Sequence, residues 1–132
     1  MKVAEVRMVA DVEPARIGVL IDYLDEDGGY DRNLLPALQL IADDYRAAGL
    51  LDRPVEFVVR AVQGLPTGSF HRVRDAFYEL LAENVLVIFG PQVSENGVAL
   101  RAHVERSAQV PIITMAGSET MLGEWVFGLP AG

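Results

Sequence analysis

Continuous apolar runs alternate with amphipathic stretches along this chain. Residues 16–21 (Arg-Ile-Gly-Val-Leu-Ile) carry an uninterrupted apolar run, the pattern of a strand buried on both faces. Residues 54–62, 85–89 and 110–114 repeat it, and Trp125-Val-Phe127 reads as a short fifth strand. Between the runs the period changes. Leu34, Leu35, Leu38, Ile41, Ala42 and Tyr45 share one helical face. Pro36 fits the first turn of that helix, where N–H groups need no helical partner, and Gly49 ends it. Gly64, Pro66 and Gly68 break the second strand, after which Ser69 is placed to cap a second helix. Its apolar stripe is Phe70, Val73, Phe77, Leu80 and Leu81. A third helix over about 95–108 aligns Leu100, Val104 and Ala108.

The order is therefore β-α-β-α-β-α-β. Crossovers long enough to hold helices predict an α/β fold: three layers, with a doubly wound, mostly parallel sheet. Residues 1–15 read as a lead-in segment and 16–132 as the domain. Such sheets bind ligands beyond the carboxyl ends of their strands, where the strand order reverses. Here those ends are residues 22–29, 64–68, 90–96 and 115–120.

Two of these ends carry hydroxyls among small residues. Gly90-Pro-Gln-Val-Ser94 places Ser94 as the cap of the third helix. Its structural role is to satisfy a backbone donor. Its functional role would be to face a ligand carboxylate together with the N–H groups of Glu95 and Asn96. Thr114-Met-Ala116-Gly-Ser118 offers a free carbonyl at Ala116 and a hydroxyl at Ser118 for an ammonium, or else simply makes a turn. The two ends together suit a zwitterion. The acidic run Asp22, Asp25, Glu26 and Asp27 lacks the spacing of a calcium loop and reads as a solvated loop. Tyr23 and Tyr30 are read either as pocket walls or as packing.

Composition narrows the function further. The net charge is -8, with 19 acidic against 11 basic residues, and Lys2 is the sole lysine. That balance argues against nucleic acid and anionic membrane as partners. With no cysteine there is no thiol chemistry and no disulfide. His71 and His103 have no companion ligands at metal spacing, and no nucleophile elbow, P-loop or dinucleotide fingerprint occurs. The expectation is a binding module with no catalytic residue, metal or cofactor.

Ile17-Gly-Val-Leu, Pro54-Val-Glu-Phe-Val-Val, Val87-Ile-Phe-Gly-Pro-x-x-Ser94 and Val110-Pro-Ile-Ile-Thr resemble the type I periplasmic binding proteins. The branch they look most like is the leucine/isoleucine/valine receptors of ABC importers. The resemblance runs from about Ile17 onward. It implies that Ser94 binds the ligand's carboxylate and amine. Ala116 and Ser118 would hold the ammonium, and Asp22 and Tyr23 would line the side-chain pocket. The implied ligand is an amino acid or small amide, and the implied partner is an ABC permease. Periplasmic or lipid-anchored extracellular placement follows from the family. The N-terminus lacks the apolar core of a secretory signal, so a cytoplasmic amide-sensing regulator on the same scaffold is the alternative. A phosphorelay receiver is disfavoured by the missing lysine.

Three positions depart from the family pattern. Glu95 follows the key serine where a small or neutral residue is usual, Met115 replaces a frequent proline, and Ser118 replaces threonine. At 132 residues the chain matches only the first part of one lobe. An exposed sheet edge is then expected, and with it a homodimer.

Overall fold

The computed structural model describes residues 13–107, 109–114 and 123–128. Five strands form one sheet: β1 (Ala15–Ile21), β2 (Val55–Ala61), β3 (Val87–Phe89), β4 (Ile112–Thr114) and β5 (Val126–Gly128). Three helices connect them: α1 (Leu34–Ala47), α2 (Phe70–Ala82) and α3 (Ser94–Ser107). The strand order is β2-β1-β3-β4-β5, and every pairing is parallel. The chain steps from β1 to β2 on one side, then returns past β1 to β3 on the other. The sheet therefore reverses its order at β1, as the doubly wound expectation requires.

Parallel strands put alternate side chains on opposite faces. Leu20, Ile88, Ile112 and Val126 point to one face and are buried against Val73, Phe77 and Leu80 of α2 and Leu100 and Val104 of α3. This is the main core, and its helical contributors are the stripes expected from the sequence. Ser69 caps α2 as expected, its hydroxyl accepting from the His71 N–H at 3.1 Å. The same helix ends at Asn84, whose φ of 59° places it in the left-handed region that closes many helices.

The other face differs from expectation. Of the α1 stripe, Ala42 alone is buried, while Ile41 and Tyr45 are 52% and 53% exposed. Leu34 and Leu38 of α1 flank an apolar cavity with Val19, Phe89 and Ile113. Among the described residues a single helix thus serves this face, and among them its outer apolar side chains are left about half exposed. At the amino end of β1, Arg16 donates to the Glu83 carbonyl at 2.7 Å and pairs with the Glu83 carboxylate at 2.9 Å. That contact pins the start of the central strand to the end of α2. Among the described residues no helix is long and apolar enough to cross a membrane.

Candidate functional site

At the carboxyl ends of β1, β2 and β3 the three connecting loops are bonded to one another. Asp22, the first residue after β1, is fully buried. Its carboxylate accepts three donors: the backbone N–H of Gln92 at 2.8 Å, that of Val93 at 3.0 Å, and Asn96 Nδ2 at 2.8 Å. A buried carboxylate costs several kcal/mol unless its oxygens are satisfied, and here donors reach both of them. This corrects the sequence expectation of a solvated acidic loop. Asp25 and its neighbours are exposed, but Asp22 is an internal strut.

Asn96 carries the connection onward. It is fully buried in the first turn of α3. Its Oδ1 accepts the Leu65 N–H at 2.9 Å and its Nδ2 donates to the Leu65 carbonyl at 3.1 Å. It thereby pairs both polar groups of one backbone residue, as a strand neighbour would. The Gly64 N–H also reaches the Asp22 carbonyl at 3.0 Å. A Cβ at Gly64 would lie 2.5 Å from Asn96 Nδ2 and 2.6 Å from Val73 Cγ2, so this position admits no side chain. Gln63 adds another tie, accepting the Leu24 N–H at 2.6 Å and bonding Thr67 Oγ1. Thr114, at the end of β4, donates to the Pro91 carbonyl at 2.5 Å.

Gly90 makes the turn from β3 into this network. Its φ is +113°, and a Cβ there would meet the Leu20 carbonyl oxygen at 2.1 Å. Both facts restrict the position to glycine.

Ser94 proves to be the first residue of α3 rather than its cap. The carbonyl of Val93 accepts the first helical bond, from Gly97 N at 3.1 Å, which makes Val93 the cap position. Valine has no side-chain acceptor, and Asp22 takes the loop amides from outside the helix instead. Ser94 is half-buried at the same helix head, and Glu95 beside it is exposed. Tyr23 is exposed and lines a cleft of about 320 Å³ with Asp25, Tyr30, Asp31, Leu34 and Gln92. The structure thus gathers Asp22, Tyr23, Ser94 and Glu95 at one end of the sheet. Ala116 and Ser118 lie outside the described residues.

Asn96 was weighed for its backbone N–H and Gly64 as a strand breaker, but the Asn96 side chain, Gln63 and the close packing of Gly64 received no functional weight from sequence. Asn96 carried one usable signal, a short polar side chain inside a helix that otherwise offers apolar residues to the core.

No protein-family model matches the sequence, and no curated protein matches it. Solved structures do. An ABC transporter substrate-binding protein from Sphaerobacter thermophilus is 25% identical, with a TM-score of 0.62 over 88% of this chain. The branched-chain amino acid transporter substrate-binding protein LivJ from Streptococcus pneumoniae, solved in complex with isoleucine, is 19% identical, with a TM-score of 0.67 over 88% of this chain. The chain has the fold of a type I periplasmic binding protein. It spans about a third of the length of these two proteins, 32% and 33% respectively. The described sheet and helices correspond to a half-lobe of that periplasmic-binding-protein fold, and the bonded loops stand at its switch point.

Proposed function

We propose that this chain forms one wall of a binding site for an amino acid or small amide, in the substrate-binding protein of an ABC importer. The reading is of a receptor that binds without catalysis. The observation that carries it is the joined set of loops at the switch point, with a cleft walled by Tyr23 and Tyr30 beside the head of α3. The likeness to two substrate-binding proteins supports it. Ser94 and the first-turn amides of Glu95 and Asn96 are the donors on one side. Helix heads favour such contacts because their first N–H groups have no helical acceptor. The Ala116 carbonyl and the Ser118 hydroxyl are assigned to the ligand's ammonium, and Tyr23 to its side chain. Residues 16–132 then act as part of an N-terminal lobe. The whole protein would work outside the cytoplasmic membrane and deliver its ligand to a permease.

Calorimetric titration with amino acids and their amides tests the proposal. Saturable binding weakened about tenfold by Ser94→Ala, with unchanged melting temperature, is the expected result. If every compound gives no saturable heat, the proposal fails.

A further inference from the structure

We propose that the outer edge of β2 is a self-association surface: a second copy of this chain pairs with it antiparallel about a two-fold axis through Val58, so that Glu56 of each copy faces Arg60 of the other.

Among the described residues β2 pairs with β1 alone, so its other side is open. The Ala15 N–H donates to the Pro54 carbonyl and the Val62 N–H to the Ile21 carbonyl, both at 2.8 Å. Pro54, Glu56, Val58, Arg60 and Val62 therefore turn their backbone groups to β1, and Val55, Phe57, Val59 and Ala61 turn theirs outward. The seven-residue register with β1 is unbroken by a bulge or an internal proline, two common means of blunting an edge. The opposite edge, β5, has three residues and ends in glycine, so β2 is the edge with the length to template a partner. Arg60 Nη1 donates to the Val59 carbonyl at 3.0 Å, and that oxygen keeps a second lone pair for a partner.

Charged side chains on an edge ordinarily deter pairing. Here they select a register. The strand reads Val55-Glu-Phe-Val-Val-Arg-Ala61, with Glu56 and Arg60 equally far from Val58. An antiparallel copy centred on Val58 matches all seven residues. Phe57 then opposes Val59, and Val55 opposes Ala61, as hydrogen-bonded pairs made by the outward groups. Glu56 opposes Arg60 in the alternate positions, where side chains come closest, and the two-fold axis repeats the ion pair. A centre moved one residue either way sets Glu56 against Val58 or Val62 and forfeits both ion pairs. The present partners hold these charges loosely: Glu56 lies 3.4 Å from Arg16, and Arg60 lies 3.5 Å from Glu79 and from Glu83. Exposed contacts of this kind are worth little and are readily exchanged.

The same edge borders an open hollow of about 600 Å³, lined by Leu35 and Pro36 of α1 and by Val55 and Phe57 of β2. A two-fold axis normal to the sheet keeps each face on its own side. Val59 and Ala61 of the second copy would then lie on this face, across from Phe57 and Val55, and roof the hollow with apolar side chains.

Sedimentation equilibrium of the chain, together with backbone amide hydrogen exchange, tests the proposal. A reversible dimer is expected, with the amides of Val55, Phe57, Val59 and Ala61 exchanging more slowly as concentration rises. Glu56→Arg and Arg60→Glu, each made alone, set like charges across the axis and are expected to weaken self-association at least about tenfold. Mixed together, the two folded variants regain opposite charges at both places and should pair within about threefold of the parent's affinity. A parent chain that stays monomeric up to about 1 mM overturns the proposal. It is also overturned by single variants that dimerise as tightly as the parent, by folded variants that fail to pair when mixed, or by assembly that grows past two copies. A dimer whose four outward amides keep their exchange rates uses another surface and overturns it too. The exchange measurement needs only the unaltered chain, so it decides the matter even if a variant does not fold.

Discussion

The carboxylate of Asp22 and the backbone N–H of Val93 meet at 3.0 Å, although 71 residues separate them in sequence. The bond closes the first strand onto the loop of the third. Removing the carboxylate strands two part-buried backbone donors and the buried Asn96 amide. Each buried donor left unpaired costs about 1–3 kcal/mol. Asp22→Ala is therefore expected to lower stability by about 3 kcal/mol or more, read from urea denaturation.

Asn96 offers a cleaner probe of the same network. Asn96→Asp sets a second carboxylate against Asp22, at a place where the amide nitrogen now sits 2.8 Å away. Two carboxylates at that separation do not both ionise, and one pKa rises. A carboxyl whose folded pKa is raised destabilises the fold at neutral pH and recovers as pH falls through that pKa. The variant should thus melt well below the parent at pH 7, with the gap narrowing toward pH 5. A constant gap across that range would count against the assignment.

Gly64 is held by contact rather than by charge. With a Cβ placed 2.5 Å from Asn96 Nδ2, Gly64→Ala forces the loop away from α3. Overpacking of this kind costs about 1–3 kcal/mol. Thermal unfolding should show the loss, and the NMR signals of Leu65 and Asn96 should shift with it.

The two faces of the sheet should respond differently to mutation. Leu80 is fully buried between α2 and the sheet, and Leu80→Ala is expected to cost about 2–5 kcal/mol. Ile41, half exposed on α1, should tolerate Ile41→Gln within about 0.5 kcal/mol. Chemical denaturation of both variants tests the contrast.

His103 gives the described residues a pH-sensitive contact. Burial, with Arg106 and Arg74 nearby, holds its pKa below the ordinary 6.5. Its Nδ1 lies 2.8 Å from the Tyr78 hydroxyl, and its ring meets Tyr78 and Phe70. Because the folded pKa is the lower one, the unfolded chain takes up the proton first as pH drops. The contribution is present in full above the ordinary 6.5 and is lost as pH falls below it. His103→Gln should flatten the stability profile between about pH 7 and pH 5.

Periodicity identified the elements well because each obeys a local rule. Ile17–Ile21 reads as a strand, and Val73, Phe77 and Leu80 read as a stripe, whatever lies elsewhere. The fate of a stripe is not a local matter. Ile41 and Tyr45 share a face with Ala42, yet spacing says nothing about what rests against that face. Asp22 shows the same limit. Beside Asp25, Glu26 and Asp27 it looked like one more solvated acid. Its burial arises from a loop 70 residues later that lends it two amides. Ser94 was located at the right helix head but one position off, because the Val93 carbonyl accepts the first helical bond and Ser94 is already inside the helix.

The position of β1 between β2 and β3 has a kinetic consequence. Its pairing with β2 joins residues 40 apart, as Arg16 and Glu56 are, and its pairing with β3 joins residues 70 apart, as Ile17 and Val87 are. Longer closures cost more chain entropy and form later. The Asp22 carboxylate can meet its donors only after the longer closure is complete. Interactions absent from the transition state govern how fast a protein opens rather than how fast it folds. Asp22 thus belongs to the machinery of persistence: its loss is expected to shorten the lifetime of the folded chain while leaving the rate of folding nearly untouched.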